Sequence, residues 1–286
     1  MNLFDETRFI MKKYNISANK KLGQNFLIDD NAVSEIVNQS EISSSDLVIE
    51  IGPGLGTLTS SLLEKAGKVI AIELDTKVLD ILKDRFSLYK NFELIHNDVL
   101  KVDLKTLIEN NLNSDITTCK IVANLPYYIT TPIIMKLLED NLPLKSITIM
   151  VQKEVAERLT AIPGEKNSGS ITHIIYYYTE PNLILNVLRD SFLPTPEVDS
   201  AVIKLELLKT PRVQVKDKKI FFEIIKAAFS LKRKTLVNCF SNSKLFKDKE
   251  EIEEILTSLN IDLKIRGEKL TIQDFANIAN LLYDKN

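Results

Sequence analysis

Four consecutive residues, Asn124-Leu125-Pro126-Tyr127, combine the groups needed to hold an aromatic amino group for reaction. The lone pair of such a nitrogen is delocalised into its ring, so an enzyme must accept the amino hydrogens and fix their direction. The side-chain oxygen of Asn124 and the backbone carbonyl of Pro126 are suitable acceptors, because proline fixes φ and keeps the turn rigid. Tyr127 offers a surface on which an unpaired base can stack. The segment predicts catalysis by positioning; an ordinary turn with a buried tyrosine is the alternative.

A glycine-rich loop, Gly52-Pro53-Gly54-Leu55-Gly56, lies between a predicted strand and a predicted helix. Glycines at alternate positions permit a tight turn and let the backbone approach a ligand closely. A dinucleotide fingerprint needs G-x-G-x-x-G, but its last position falls here on Thr57 or Leu58. The observed G-x-G-x-G, preceded by Glu50, therefore favours the nucleoside-binding loop of an S-adenosylmethionine enzyme over a nicotinamide site. A simple turn is the remaining alternative.

Two acidic residues follow the next two predicted strands. Glu73 ends the second strand, where its carboxylate can accept both hydroxyls of a ribose. Asp98 follows the third strand and can accept the amino group of a nucleoside base. Either residue alone would be an ordinary solvated charge, but strand ends of a parallel sheet form one crevice. Together with Gly52 they predict a nucleoside site.

The elements that must position these residues alternate along the first two hundred residues. Short β-branched apolar runs predict strands, and amphipathic patterns between them predict helices. The predicted strands cover residues 47–51, 68–74, 92–96, 120–123, 146–151, 171–178 and 200–207. Alternation of strands and helices implies βαβ units. We therefore predict an α/β fold of the class I methyltransferase type: a Rossmann-like, mostly parallel sheet of about seven strands, followed by a small all-α domain.

The strand pattern stops near Thr210, which predicts one domain over residues 1–210 and a helical domain over residues 211–286. Residues 1–200 carry 20 basic and 27 acidic side chains, whereas residues 201–286 carry 17 and 12. This asymmetry indicates a nucleic-acid contact by the second domain, although a solvated helical face would also account for it.

The composition narrows the class of protein further. Hydrophobic residues make up 44% and charged residues 27%, which is typical of a globular chain. The two cysteines, Cys119 and Cys239, form no pair or cluster that predicts a disulfide framework or a zinc site. Residues 1–14 contain no apolar signal region, and no uncharged apolar run approaches membrane-spanning length. We expect a cytoplasmic monomer without a metal or a membrane partner.

Beyond these separate signals, almost the whole chain resembles a known family, the small-subunit (16S) ribosomal RNA adenine N6,N6-dimethyltransferases. That family is similar to the macrolide-resistance ribosomal methylases. Besides the loop at Gly52 and the Asn124 tetrapeptide, three segments carry the resemblance: residues 21–27 (KLGQNFL), 192–200 (FLPTPEVDS) and 229–236 (FSLKRKTL).

The resemblance implies functional roles for particular residues. It implies cofactor contacts by Asn25, Leu27, Gly52, Glu73, Asp98 and Asn124. It also implies that Phe192 stacks the target base opposite Tyr127. Lys232, Arg233 and Lys234 are expected to contact RNA phosphates, which would position the substrate without reading its sequence. Leu231 and Lys232 replace the glutamine and arginine more common in the family, and this puts any specific base contact there in doubt. We interpret His173 as a strand residue and His96 as part of the scaffold.

We therefore expect an enzyme that dimethylates N6 of adjacent adenines in 16S ribosomal RNA. S-adenosylmethionine would be its cofactor, S-adenosylhomocysteine its product and a ribosome-assembly intermediate its substrate. A large-subunit adenine methylase and a DNA adenine methylase are rival enzymes, and a nicotinamide oxidoreductase is a rival from another chemistry. A non-enzymatic assembly checkpoint could use the same surface.

Overall fold

The computed structural model describes residues 2–19 and 22–285. Lys21, which begins the first of the three resembling segments, lies outside the described residues. The chain divides into two units. The first runs to Ala156 and takes in Asn182–Leu207, and the second consists of Glu157–Pro181 and the described residues from Leu208 onward. The larger segment of the second unit therefore begins close to the predicted boundary at residue 210, but the unit also includes residues 157–181, which the sequence interpretation assigned to the first domain.

Nine strands occur in the described part of the chain, and seven of them form one sheet. They are β1 (Phe26–Leu27), β2 (Asp46–Ile51), β3 (Lys68–Glu73), β4 (Phe92–His96), β5 (Thr118–Asn124), β6 (Leu144–Gln152), β7 (Thr179–Val187), β8 (Phe192–Leu193) and β9 (Ser200–Leu207). The order across the large sheet is β4-β3-β2-β5-β6-β9-β7. Neighbours from β4 to β6 are parallel, and β9 runs antiparallel to β6. The predicted Rossmann-like sheet is confirmed.

Twelve α-helices occur in the described part of the chain. They are α1 (Leu3–Lys13), α2 (Asp30–Gln39), α3 (Thr57–Leu63), α4 (Thr76–Phe86), α5 (Leu104–Glu109), α6 (Thr130–Glu139), α7 (Lys153–Leu159), α8 (Ser170–Tyr178), α9 (Lys218–Ala228), α10 (Leu236–Ser241), α11 (Lys249–Ser258) and α12 (Ile272–Lys285). In the first unit, Val48, Val69 and Val122 of the sheet join Ile36 of α2 and Leu62 of α3 in one buried cluster. Burying this apolar face fixes the strand register, because a shift by one residue would expose it.

One predicted strand is wrong. Residues 171–178 belong to α8, and the seventh strand of the sheet is β7, which begins directly after that helix. The run is apolar on almost every side, so its periodicity does not distinguish a helix from a strand. Tyr177 lies 5.2 Å from Phe221 and 5.3 Å from Phe222, measured between ring centroids. This packing on α9 explains both the helix and its place in the second unit.

The error in this strand also changes the position assigned to His173. The residue lies on α8, not on a strand, and it is fully buried. Its ring nitrogens lie 2.9 Å from the carbonyl oxygen of Gly169 and 3.1 Å from that of Leu270. Burial lowers the pKa of His173, and the Phe275 ring packs edge-on against it. These contacts make His173 a core residue of the second unit.

Candidate functional site

A cavity opens in the first unit at the carboxyl ends of β2, β3, β4 and β5. Together with its open mouth it encloses about 1080 Å³. Every predicted cofactor-binding and catalytic residue lines it: Asn25, Leu27, Gly52, Glu73, Asp98, Asn124, Leu125, Pro126, Tyr127 and Phe192. Strand ends of an open α/β sheet are the expected location of a ligand, and the structure brings these residues together there, while their roles stay predictions.

The glycine loop forms one wall of the cavity. Gly52, Gly54 and Gly56 all have left-handed backbone conformations, with φ of +68°, +56° and +85°. A Cβ atom at Gly52 would meet no atom within 4 Å, whereas one at Gly56 would come within 2.5 Å of the Phe86 ring. Gly52 is therefore free of protein on the side where a side chain would project, and Gly56 lets α4 pack against the loop.

Glu73 lies beside this loop and is almost completely buried. Its Oε1 accepts hydrogen bonds from the backbone N–H groups of Leu74 and Asp75, both at 2.8 Å, and its Oε2 accepts a longer one, 3.3 Å, from Gly54. Burial raises the pKa of Glu73, and these backbone hydrogen bonds oppose the shift. The carboxylate is thus fixed in direction, and Oε2 is the oxygen with acceptor capacity left for a ligand.

Asp98 lies just after the end of β4, in a more open setting. Its Oδ1 accepts a hydrogen bond of 3.0 Å from the backbone N–H of Leu100, which lies within the short 3₁₀ turn Val99–Lys101. The other carboxylate oxygen accepts no hydrogen bond from the described residues.

An exposed apolar residue, Leu74, lines the cavity as well, with 47% of its surface accessible. Sequence reasoning missed Leu74, although an apolar residue directly after an acidic strand end is a readable signal.

Glu50 lies behind the glycine loop and is 1% exposed. It accepts a 2.6 Å hydrogen bond from the Thr59 hydroxyl. Burial raises the pKa of Glu50 to about 8, and the nearby charge of Glu73 adds to the shift. The two carboxyl groups therefore share one desolvated environment in which ionisation of Glu50 is unfavourable.

The tetrapeptide at the end of β5 differs from the sequence interpretation in one respect. The Pro126 carbonyl, predicted to accept the substrate, already accepts hydrogen bonds from Ile129 N at 3.2 Å and from the Thr130 hydroxyl at 3.1 Å. Two bonds use the lone pairs of a carbonyl oxygen. The Leu125 carbonyl accepts no hydrogen bond from any described residue. The Pro126 carbonyl therefore supports the turn that leads into α6, and the available backbone acceptor is one residue earlier.

Asn124 is held by a contact from another segment. Its Nδ2 donates to the backbone carbonyl of Asn25 at 3.3 Å. Because the amide is planar, this bond fixes the direction of Oδ1, the side-chain acceptor. The predicted cofactor residue Asn25 and the predicted catalytic residue Asn124 are thereby joined.

Two aromatic side chains complete the wall. The hydroxyl group of Tyr127 is 2.9 Å from that of Ser200 on β9. Burial raises the pKa of Tyr127, so its hydroxyl stays protonated in the neutral range. Phe192 lines the cavity but is only 2% exposed, so most of its ring packs into the core. Stacking of a base between these two rings stays a prediction.

A short antiparallel ladder connects two segments that lie far apart in the sequence. β1 pairs with β8, with Phe26 opposite Leu193 and Leu27 opposite Phe192. The segment expected to contact the cofactor and the segment expected to contact the base therefore share backbone hydrogen bonds.

The family described as ribosomal RNA adenine dimethylase matches residues 15–284. The chain belongs to this family. It is 50% identical over 279 residues to the ribosomal RNA small subunit methyltransferase A of Bacillus pumilus, covering 96% of this chain and 95% of the relative. The corresponding protein of Alkaliphilus oremlandii is 45% identical over 280 residues, covering 98% and 97%. The chain is thus a methyltransferase of ribosomal RNA adenines.

A solved structure agrees with this assignment. The dimethyladenosine transferase of Plasmodium falciparum has a TM-score of 0.75 and 29% identity, covering 91% of this chain and 98% of its own. The class I methyltransferase fold expected for the dimethylase family is therefore confirmed.

The predicted RNA contacts lie in the second unit of this dimethylase. Lys232, Arg233 and Lys234 are all exposed, occupy the turn between α9 and α10 and not a helix, and form no ion pair with a described residue. Arg233 has a left-handed backbone, with φ of +63°. The turn is joined to the loop before α12, because Leu236 N donates to the Ile265 carbonyl at 2.7 Å.

That neighbouring loop carries further cations which sequence reasoning missed. Lys264, Arg266 and Lys269 are exposed and form no ion pair with a described residue. Gly267 lets the loop pack on α9, since a Cβ atom there would lie 2.8 Å from the Ala228 carbonyl. We call these two segments, residues 231–235 and 262–269, the basic loops. The packing that joins them is not visible from sequence spacing.

The histidine of β4 and the two cysteines lie outside the candidate site. His96 ends β4 and does not line the cavity. Cys119 and Cys239 are buried and form no disulfide, and burial raises the pKa of Cys119 to about 12. In the described ranges no cluster of His, Cys, Asp or Glu has the arrangement of a metal site. No helix there has both the length and the apolar character required to cross a bilayer.

Proposed function

We propose that this chain dimethylates N6 of adjacent adenines in the RNA of the small ribosomal subunit, using S-adenosylmethionine and releasing S-adenosylhomocysteine. Relatives named small subunit methyltransferase A, 45–50% identical over nearly the whole chain, support the choice of subunit. The observation that carries the chemistry is the pair of acceptors at the end of β5, the fixed Asn124 side chain and the Leu125 carbonyl, in the cavity that contains the nucleoside-type acids.

The residues of the cavity fit this cofactor. Glu73 would accept a ribose hydroxyl through Oε2, and Asp98 would accept the base amino group through its second carboxylate oxygen. Gly52 leaves space for the part of the cofactor beyond its ribose and base, and Leu74 offers the base an apolar surface. Asn25 and Leu27 would close the site from the opposite segment. S-adenosylmethionine, when bound, supplies an electrophilic methyl group on a sulfonium sulfur.

The chain would orient the target adenine with neutral groups. Asn124 Oδ1 and the Leu125 carbonyl would accept the two N6 hydrogens, which turns the nitrogen lone pair toward the methyl group. Tyr127 and Phe192, which both line the cavity, would contact the base. Neither acceptor is basic enough to keep a proton, so the proton lost from N6 would pass to water. The acceleration then comes from positioning and preorganised dipoles.

The substrate must present an unpaired adenine, because a base within a helix cannot reach a cavity at strand ends. We therefore propose an assembly intermediate of the small subunit, in the cytoplasm, as the substrate. The first unit would catalyse, and the basic loops of the second unit would contact phosphates. All the predicted cofactor-binding and catalytic residues line a single cavity, so a second copy is not needed to complete it, and we propose a monomer.

One experiment tests the proposal against its rivals. Radiolabelled S-adenosylmethionine is incubated with the protein and, in parallel, unmethylated small subunits, large subunits, naked RNA and DNA. We expect label in N6,N6-dimethyladenine of the small-subunit RNA. Preferential labelling of large subunits would identify a large-subunit methylase. Absence of transfer to all four, with binding of a reduced nicotinamide cofactor, would contradict the proposed chemistry. An inactive variant that still binds and delays subunit maturation would reveal a checkpoint role beside catalysis.

A further inference from the structure

Two adjoining tyrosines at the cavity have opposite surroundings. Tyr127 is partly buried and tied through its hydroxyl to Ser200. Tyr128 lines the same cavity, but 59% of its surface is exposed. Its hydroxyl forms no hydrogen bond with a described residue. Tyr128 therefore presents aromatic surface to any molecule that enters the cavity.

The Tyr128 ring is supported from one side. A Cβ atom built on Gly23 would lie 3.5 Å from Cδ1 of this ring and 3.6 Å from Cε1, so the ring lies over the glycine with no side chain between them. Gly23 has a left-handed backbone, with φ of +61°. Pro126 lies beside the same point, its Cβ atom 3.6 Å from the Cβ position at Gly23. The protein therefore supports one side of the ring and leaves more than half of the residue open to solvent.

The substrate of the proposed reaction has a base that must lie near this ring. When an adenine enters the cavity, the next nucleotide of the RNA chain lies one nucleotide away, outside the mouth. Unpaired bases stack readily on exposed aromatic rings, and such stacking tolerates any base because each has a π-face. The tetrapeptide holds the reacting base, so Tyr128, the next residue, is placed to meet the adjacent one.

We propose that Tyr128 is a stacking platform for the nucleotide adjacent to the target adenine. The inference rests on the proposed function and extends it. Tyr128 would hold the second adenine of the pair while the first is methylated, and would thus favour modification of both before the RNA is released.

The test compares Tyr128→Ala, Tyr128→Leu and Tyr128→Phe with the wild-type protein, on unmethylated small subunits. Removal of the ring is expected to raise KM for the subunit about tenfold, since stacking contributes on this scale. Leucine keeps apolar bulk without a π-face, so Tyr128→Leu should resemble Tyr128→Ala. Phenylalanine should restore KM to within about twofold. The dissociation constant for S-adenosylmethionine and the melting temperature should stay unchanged.

A second readout follows the proposed role in holding the pair. At limiting enzyme, Tyr128→Ala should increase the fraction of RNA molecules modified at only one of the two adenines. Tyr283→Ala, which removes another tyrosine that is 46% exposed, is the matched control and should leave both readouts unchanged.

The outcomes separate this inference from the function on which it rests. If the wild-type protein methylates the subunit while Tyr128→Ala keeps its KM and its product distribution, the platform is refuted and the proposed function stands. Loss of activity in Tyr128→Phe equal to that in Tyr128→Ala would refute stacking too, because the ring is still present. A wild-type protein that transfers no methyl group to adenine would refute the proposed function itself.

Discussion

The guanidinium group of Arg85 donates one hydrogen bond to the backbone carbonyl of Leu55 and another to the carboxylate of Glu6. Leu55 belongs to the glycine loop, and Glu6 lies on α1. The Arg85 side chain is 16% exposed, so this contact is shielded from solvent. Phe86, the next residue of α4, fills the space beneath Gly56. Two consecutive residues of α4 thus support the loop from behind.

Arg85→Met is expected to weaken binding of S-adenosylmethionine about tenfold, because a hydrogen bond to a charged group contributes about 1.5–3 kcal/mol and the loop would lose its support. At saturating cofactor, kcat should change little, since Arg85 touches no reacting atom. Titration calorimetry measures the affinity. Arg85→Lys keeps the charge but has fewer donor groups, so its affinity for the cofactor should lie between those of the wild-type protein and Arg85→Met. Unchanged affinity in Arg85→Met would contradict the supporting role.

Asn124→Ala should reduce methyl transfer about 10²–10³-fold, the effect typical of removing one preorganised hydrogen-bonding group. RNA binding should stay close to that of the wild-type protein, because the side chain is partly buried. Single-turnover rates with labelled cofactor, alongside filter binding of the RNA, separate the two effects. Full activity in this variant would show that the side-chain acceptor is not part of the mechanism.

Gly52→Ala and Gly56→Ala form a matched pair in one loop. Both place a Cβ atom on a left-handed backbone, which costs about 1–2 kcal/mol. At Gly56 the new atom also meets the Phe86 ring at 2.5 Å, whereas at Gly52 it meets nothing within 4 Å. We expect Gly56→Ala to lower the melting temperature more, and Gly52→Ala to weaken cofactor binding more than its loss of stability explains. Thermal melts with and without the cofactor measure both, and a reversed order would be inconsistent with these contacts.

The buried Glu50 carboxyl predicts a pH dependence of stability. Its pKa is about 8 in the folded chain, against an ordinary value of 4.5, so between these pH values the folded state holds a proton that the unfolded state releases. Its stabilising contribution is therefore full below about pH 4.5 and is lost as the pH rises through 8. The melting temperature of the wild-type protein should fall from pH 5 to 8 more steeply than that of Glu50→Gln, which is neutral throughout. Parallel slopes would exclude Glu50 as the cause.

Neutralising the basic loops should weaken RNA binding and reduce its dependence on salt. With fewer contacts to phosphates, RNA binding releases fewer counterions. A triple glutamine variant of Lys232, Arg233 and Lys234 and another of Lys264, Arg266 and Lys269 should act in the same direction. Replacing three exposed lysines of the first unit, Lys90, Lys105 and Lys145, is the matched control. Binding measured from low to moderate salt gives the slopes. A slope equal to that of the wild-type protein in both loop variants would rule out this surface.

The sequence predicted the parts of the site that depend on strand ends. Gly52, Glu73, Asp98 and Asn124 each follow or end a strand, and parallel strands bring their carboxyl ends to one edge. That geometric rule needs no knowledge of side-chain packing, so the prediction of a common cavity was possible.

The sequence predictions fail where tertiary packing or local hydrogen bonding determines the structure. Residues 171–178 form a helix because of aromatic contacts with α9, a segment some forty residues away that periodicity does not report. The Pro126 carbonyl was the wrong acceptor, because the start of α6 uses it. Arg85 was missed because an arginine in an amphipathic helix is ordinarily a solvated charge, and only the tertiary structure shows that it meets Leu55.

The pairing of β1 with β8 has a consequence for biosynthesis. Phe26 and Leu27 leave the ribosome early, but their partners Leu193 and Phe192 are made about 165 residues later. The wall that these strands share cannot close until that later segment has emerged. A nascent chain therefore cannot form its complete cavity before about two thirds of it has been translated, and truncated products that stop earlier lack a finished site.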